Sequence, residues 1–318
     1  MIDATWIDSM RLHDRTGKIA TGWAAHTRPD VRFVEVERAI IRARVAGVAS
    51  AGKPTVVIVC DPPSVLEHFD QLIALLEPHA RVVVFEPPGF GFSCPKRNFR
   101  FTFDEYLHSI EQLLDALDEG PYLLAFSCVW AHIALQIATR TPDKVAKLML
   151  WQCPSWEQQV DWAKFVSFKG ILTRPVLGQA VMAWATNRMG FMWYKNAMAK
   201  NRYSEFVPTF QAALARGAFW CLGSLWQKWF SGYAPPPVRI RQPVLMTWGC
   251  ADRTHRHSDK HSIGAQIPHA IWHSFFEHAG HSPELEASEP FAKLVLAWMD
   301  GGNVSPQPTV ATAMASTS

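Results

Sequence analysis

The sequence predicts an α/β protein, a mostly parallel, doubly wound sheet with helices on both faces and a helical layer inserted late in the chain. Three observations predict it. TVVIVC (55–60) is a continuously apolar, β-branched run, the signature of a strand covered on both faces; RVVVFEPPGFG (81–91) reads as another buried strand, and YLLAFS (122–127) and VAKLMLWQC (145–153) repeat the rhythm. Segments of helical period lie between them, and such alternation builds parallel sheets. The rhythm then stops from about Cys153 to Gly232 and resumes at PVLMTWGCAD (243–252).

Each element has its own signal. RFVEVERAIIRARVAG (32–47) reads as two adjoining strands, and LEHFDQLIALLEPH (66–79) has helical spacing. FDEYLHSIEQLLDALDEG (103–120) is an amphipathic helix with Leu113, Leu114 and Leu117 on its apolar face and Gly120 expected at its end. CVWAHIALQIATR (128–140) continues the pattern as the helix after YLLAFS. The interruption is helix-like and holds seven of the chain's 14 Trp, with nine Lys/Arg against three Asp/Glu. APPPVRIRQP (234–243) reads as a stiff return linker. The expected organisation is therefore a core of residues 1–152 and 236–302, a helical cap of 153–235, and a disordered tail of 303–318, NVSPQPTVATAMASTS.

Composition removes several function classes. The chain has 318 residues, 48% hydrophobic and 19% charged, which is a globular balance. A net charge of +3 is too small to argue for nucleic acid. No apolar run reaches the roughly 18 residues of a membrane span, and MIDATWIDSMRLHDRTGK lacks the apolar centre of a secretory signal. Six cysteines (60, 94, 128, 153, 221, 250) are scattered without CxxC spacing, as expected of reduced thiols in a cytoplasmic protein.

Four local patterns, in order, carry a family resemblance: EPPGFGFS (86–93), TPDKVAKLML (141–150), WGCADRTH (248–255) and EHAGHSPELEASEPF (277–291). Together they resemble the α/β-hydrolase superfamily, specifically its cap-bearing members, over about residues 32–152 and 236–300. The resemblance implies the α/β-hydrolase fold, with Asp252 at the acid position and His281 at the histidine position, in the order nucleophile, acid, histidine. His281 would take a proton from the nucleophile while Asp252 fixes its tautomer. The bland alternatives are a loop-capping Asp252 and a surface His281. No carboxylate follows LWQCPS, the other usual place for the acid.

The nucleophile is contested between neighbours. The family pattern puts small residues two positions either side of the nucleophile, and Ala125-Phe126-Ser127-Cys128-Val129 suits it better than the window centred on Cys128. Helix phase favours the other residue. Ala134-Leu135-Gln136 and Pro142 stand at the family's usual separations from Cys128, and a one-residue slip would rotate the helix by about 100°. Cys128 is therefore the favoured nucleophile and Ser127 the alternative. A thiol at a helix N-terminus beside His281 is expected to have a lowered pKa. The structural alternative is a buried, inert Cys.

The oxyanion support departs from the family. His-Gly-x is usual there, but this chain has Cys60-Asp61-Pro62, so Pro62 offers no N–H and Asp61 replaces the glycine. Val129 N–H remains as one donor. Asp61 is either a proton or hydrogen-bond donor held protonated by burial, or merely a cap for the following helix. His255, His257 and His261 lack a partner cluster, so no metal is read here and no cofactor is expected.

The function these expectations favour is acyl transfer on a hydrophobic acyl ester or thioester through Cys128, His281 and Asp252, as acyltransferase, condensing enzyme or thioesterase. The partner is a hydrophobic small-molecule acyl substrate, free or carried on coenzyme A or an acyl carrier protein, to which the cap's positive charge is complementary. The alternatives are a C–C or C–O bond hydrolase or lyase with Asp61 as proton donor, and a non-catalytic binding protein that retains the fold.

Overall fold

The computed structural model describes residues 3–12, 28–167, 170–273, 276–302 and 304; the tail assigned to 303–318 lies, but for Val304, outside them. Strands β1 (Val31–Glu35) and β2 (Ala39–Ala46) form the antiparallel edge that the paired runs in 32–47 predict. They are followed by β3 (Thr55–Val59), helix α1 (Asp70–Leu76), which a 3-10 turn over Leu66–Phe69 leads into, and β4 (Val82–Phe85). The Pro/Gly turn then carries two short pieces, β5 (Phe90–Gly91) and β6 (Cys94–Pro95). Next come α2 (Phe103–Leu117), β7 (Tyr122–Ser127), α3 (Cys128–Arg140) and β8 (Val145–Trp151).

With β10 (Val244–Thr247) and β11 (Ile271–Trp272) from later in the chain, the sheet runs β1-β2-β4-β3-β7-β8-β10-β11, with β6 paired to β2. All pairings from β4 onward are parallel, and only β2 meets its neighbours antiparallel. Val56, Val57, Ile58 and Val59 of β3 are all fully buried, because helices cover both faces and leave no polar side for alternation. Helix α2 begins as its sequence suggests, with Thr102 accepting a hydrogen bond from Glu105 N–H. Its end differs from expectation. The left-handed capping residue is Asp118 (φ 48°), a type that tolerates this conformation, and Gly120 lies beyond it in the turn to Pro121.

Between β8 and β10 (Val244–Thr247) the chain inserts α4 (Trp156–Val166), α5 (Leu177–Ala197), α6 (Tyr203–Ala215), β9 (Phe219–Trp220) and α7 (Leu222–Trp229). Strand β9 pairs with β5, Phe90 opposite Trp220, and Cys221 N–H donates to Gly89 O. The insertion is thus pinned to the PPGFG turn beside the ends of the parallel strands. The chain closes with β11 (Ile271–Trp272), a short α8 (Pro283–Glu286) and α9 (Ser288–Met299). Among the described residues no helix is long and apolar enough to cross a membrane.

Candidate active site

The turn from β7 into α3 decides which neighbour faces outward. Cys128 is the first residue of α3 and has φ 51°, a left-handed conformation that a residue with a Cβ adopts only where its surroundings enforce it. Ser127 is the extended residue before it, fully buried, and its hydroxyl finds no partner among the described residues. The helix-phase expectation therefore describes this turn better than the small-residue pattern. Bulk beside the turn is accommodated rather than excluded. Phe126 packs on Phe85 with ring centroids 5.7 Å apart, and Trp130 uses its indole N–H on Asp61 Oδ1 at 3.0 Å.

Loops at the C-terminal ends of the strands bring the other expected residues to Cys128. Asp252 follows β10, and His281 lies in the loop after β11; His281 Nδ1 and Asp252 Oδ2 are 2.7 Å apart. That loop is held close because Gly249 and Gly280 meet backbone to backbone. A Cβ on Gly249 would lie 1.7 Å from Gly280 O. Thr254 donates both its N–H and its hydroxyl to Asp252 Oδ1 at 2.7 Å, so Asp252 also caps its own loop. Burial works against the Asp252 carboxylate, but the charge and hydrogen bond of His281 hold its pKa down to about 2.

Asp61 is not the cap of the following segment. Its Oδ2 sits 3.0 Å from His281 Nε2, so the imidazole is clasped between two carboxylates. Burial disfavours a charged imidazole, yet the Asp252 and Asp61 carboxylates keep His281 well above the ordinary histidine range. Burial also raises Asp61, so the proton between Oδ2 and Nε2 belongs to the pair.

The Cys128 Sγ lies within 4.8 Å of a nitrogen of His281 and one of His255. Val129 N–H points toward it and Gln159 Nε2 stands 3.6 Å away. The surroundings do not lower this thiol's pKa as expected. Burial pushes this thiol up to about 11, Asp61 adding to the rise, although His281 pulls the other way. A helix N-terminus cannot offset full desolvation beside a carboxylate.

Three neighbours were not assigned to the site from sequence. Gln152, after β8 and with φ 50°, donates to Asp252 Oδ2 at 2.8 Å and accepts from Gly249 N–H at 2.7 Å. Gln159, on α4, reaches the thiol from the insertion. His255 does belong to a cluster, contrary to the reading from sequence. It stacks on Trp162 (centroids 4.7 Å, 7°) and on His281 (5.4 Å, 18°), and burial holds its pKa down to about 3. Nearly parallel rings send their in-plane lone pairs side by side, whereas a shared metal ion needs them to converge. His257 and His261 do not join the group that surrounds Cys128.

Above the thiol is a cleft of about 20 Å³ walled by Asp61, Pro62, Cys128, Val129 and the indoles of Trp130, Trp162, Trp193, Trp220 and Trp226. Trp193, Trp220 and Leu222 also line a second cavity of about 270 Å³ that Phe165, Met189, Met192, Arg253 and Arg256 help enclose. Most of the insertion's Trp residues therefore serve both as its core and as the wall of these spaces.

A family model for the alpha/beta hydrolase fold matches residues 63–287. The chain belongs to the α/β-hydrolase family. Its solved relatives in shape include epoxide hydrolase A from Mycobacterium thermoresistibile, with a TM-score of 0.69 and 16% identity over 88% of this chain and 100% of that one. The enol-lactonase from Burkholderia xenovorans LB400 gives 0.63 and 15%, covering 85% of this α/β-hydrolase and 100% of that chain. Among curated proteins, an uncharacterised hydrolase of Saccharomyces cerevisiae is 26% identical over 112 residues; the match spans 35% of this chain and 39% of the yeast protein.

Proposed function

We propose that this α/β-hydrolase-fold protein is an acyl-transfer enzyme in which Cys128 accepts a hydrophobic acyl group from an ester or thioester. The observation that carries the reading is the strained backbone of Cys128 at the strand-to-helix turn, with Sγ beside the Asp252–His281 pair. The proton shared by Asp61 and His281 supplies what the backbone lacks. As an acyl carbonyl enters, Asp61 keeps that proton and turns its O–H onto the carbonyl oxygen, beside Val129 N–H. This replaces the donor missing at Pro62, a contribution of about 10²–10³ in rate. His281 Nε2 is then bare. The S–H proton passes to it as the S–C bond forms and the carbonyl pair moves onto oxygen. Collapse restores the carbonyl, breaks the bond to the leaving group, and returns the Nε2 proton to that group. The acyl thioester is then transferred to a thiol, amine, carbon nucleophile or water, with His281 taking the acceptor's proton and returning it to Cys128 sulfur.

The apolar cavity supports a hydrophobic acyl chain, and Arg253 and Arg256 beside it support delivery on a phosphate-bearing carrier such as coenzyme A or an acyl carrier protein. Six free cysteines fit a reducing, cytoplasmic setting. A second reading rests on the Asp61–His281 hydrogen bond, in which Asp61 protonates the leaving atom in C–O or C–C bond cleavage without a covalent thioester. Intact-mass analysis after incubation with a panel of acyl thioesters separates the two. The expected result is a covalent adduct lost in Cys128→Ala and kept in Ser127→Ala. An adduct kept in Cys128→Ala would move the nucleophile to Ser127. No adduct on any substrate would overturn acyl transfer, leaving the second reading, or a non-catalytic binding protein if no turnover is found either.

A further inference from the structure

Helix α5 carries large apolar side chains on its outside. Trp184 is 89% exposed, Leu177 44% and Phe191 38%, at a seven-residue spacing that keeps them on one side of the helix, despite the non-helical step at Ala185. Arg188 and Lys195 lie exposed along the same side, and Arg174 is exposed just before the helix. The insertion's three acids do not neutralise them, since Asp161 is paired with Lys164, Glu205 with Arg202, and Glu157 sits at the start of α4 by Ser155 and His132. A soluble surface normally scatters its exposed Trp, Leu and Phe, whereas here three lie along one side of a helix with cations beside them, side chains that suit the apolar boundary and the anionic headgroups of a lipid surface.

The same helix turns Met189, Met192 and Trp193 to the 270 Å³ cavity, whose rim also includes Phe165, 47% exposed. We propose that the outer side of α5, with Leu177, Trp184 and Phe191 entering the interface and Arg174, Arg188 and Lys195 meeting anionic headgroups, docks on an anionic lipid bilayer. The cavity then opens next to the membrane surface, and an acyl chain dissolved in the bilayer has a short apolar path to it. The docking stands apart from the acyl-transfer reading; only this route of substrate entry rests on it.

Sedimentation with large vesicles tests the proposal on the full chain. Vesicles of equimolar phosphatidylcholine and phosphatidylglycerol should carry the protein down, pure phosphatidylcholine much less, and added salt should weaken binding. The Leu177→Ser/Trp184→Ser/Phe191→Ser variant and the Arg188→Glu/Lys195→Glu variant should each bind about tenfold more weakly. Both sets sit on the surface, so unchanged circular dichroism and melting establish that the fold is kept. Failure of the native protein to sediment, or equal binding by the variants, would overturn the proposal. So would light scattering that shows a dimer dissolved by the apolar variant with no vesicle binding, which assigns the face to a second copy of this chain. Adduct formation on Cys128 with a soluble short-chain thioester needs no lipid, so failure there and failure here are read separately.

Discussion

Asp61→Asn removes a negative charge from the site with almost no change in volume, and it should make Cys128 more reactive rather than less. Sγ lies within 4.8 Å of a His281 nitrogen and Asp61 Oδ2 is 3.0 Å from Nε2, so with the short span between the two ring nitrogens carboxylate and sulfur are no more than about 10 Å apart. At an effective dielectric of about 20 a charge at that distance is worth about 1.7 kcal/mol, or about 1.2 pKa units. The thiol, at about 11 in the native protein, should fall by at least that amount, while Asp252 remains to hold the imidazolium as counter-ion. Near neutral pH the thiolate share then rises about 15-fold, and the lower intrinsic nucleophilicity of a more acidic thiol trims the gain in alkylation rate to about fourfold. Iodoacetamide labelling of the Cys128 peptide, followed by mass spectrometry across a pH series, measures it against the other cysteines. An alkylation rate unchanged or slower in Asp61→Asn would refute the view that this carboxylate keeps the thiol protonated.

Three further outcomes follow from the same geometry. Ser127→Ala should leave the melting temperature unchanged or raise it by up to the equivalent of about 1 kcal/mol, because it deletes a buried hydroxyl without a partner; a large loss on thermal melting would contradict this. Gly249→Ala should cost upward of about 3 kcal/mol or prevent folding, since its Cβ would strike Gly280 O at 1.7 Å and push apart the loops carrying Asp252 and His281. Glu284 is buried, and burial pushes its carboxyl up to about 8, so the native state holds a proton that the unfolded chain releases near its usual pKa of about 4.5. Stability from this group is therefore full at low pH and lost as pH rises through about 8, and melting of Glu284→Gln across that range should show a smaller decline than the native protein.

The fold was legible because its signals are local. Continuous β-branched runs mark β3 and β4, apolar runs mark β7 and β8, and the Pro/Gly turns and four motif segments fall at strand ends. The place of Cys128 at the strand-to-helix turn was legible for a subtler reason: the helix behind it has a fixed phase, and the phase of Ala134-Leu135-Gln136 outweighs the sizes of Phe126 and Trp130. What stayed hidden are pairings between distant segments. Trp130 holds Asp61, Gln152 holds Asp252, and Gln159 reaches Cys128 from the insertion, each across 31 to 100 positions. The thiol's protonation was misjudged for the same reason. The helix N-terminus beside it is visible in sequence, whereas the indoles that dry the site arrive from Trp162, Trp193, Trp220 and Trp226 of the insertion.

The cleft above Cys128, about 20 Å³, is close to the volume that a single water needs. An acyl group resident on the sulfur would fill it, and an acceptor would have to come in from the larger space behind Trp193 and Trp220. If Cys128 carries an acyl group as proposed, partition between hydrolysis and transfer becomes a question of queueing: the molecule that occupies the outer chamber is the one placed to react, and the intrinsic nucleophilicities of water, thiol and amine would count for less than their occupancy there.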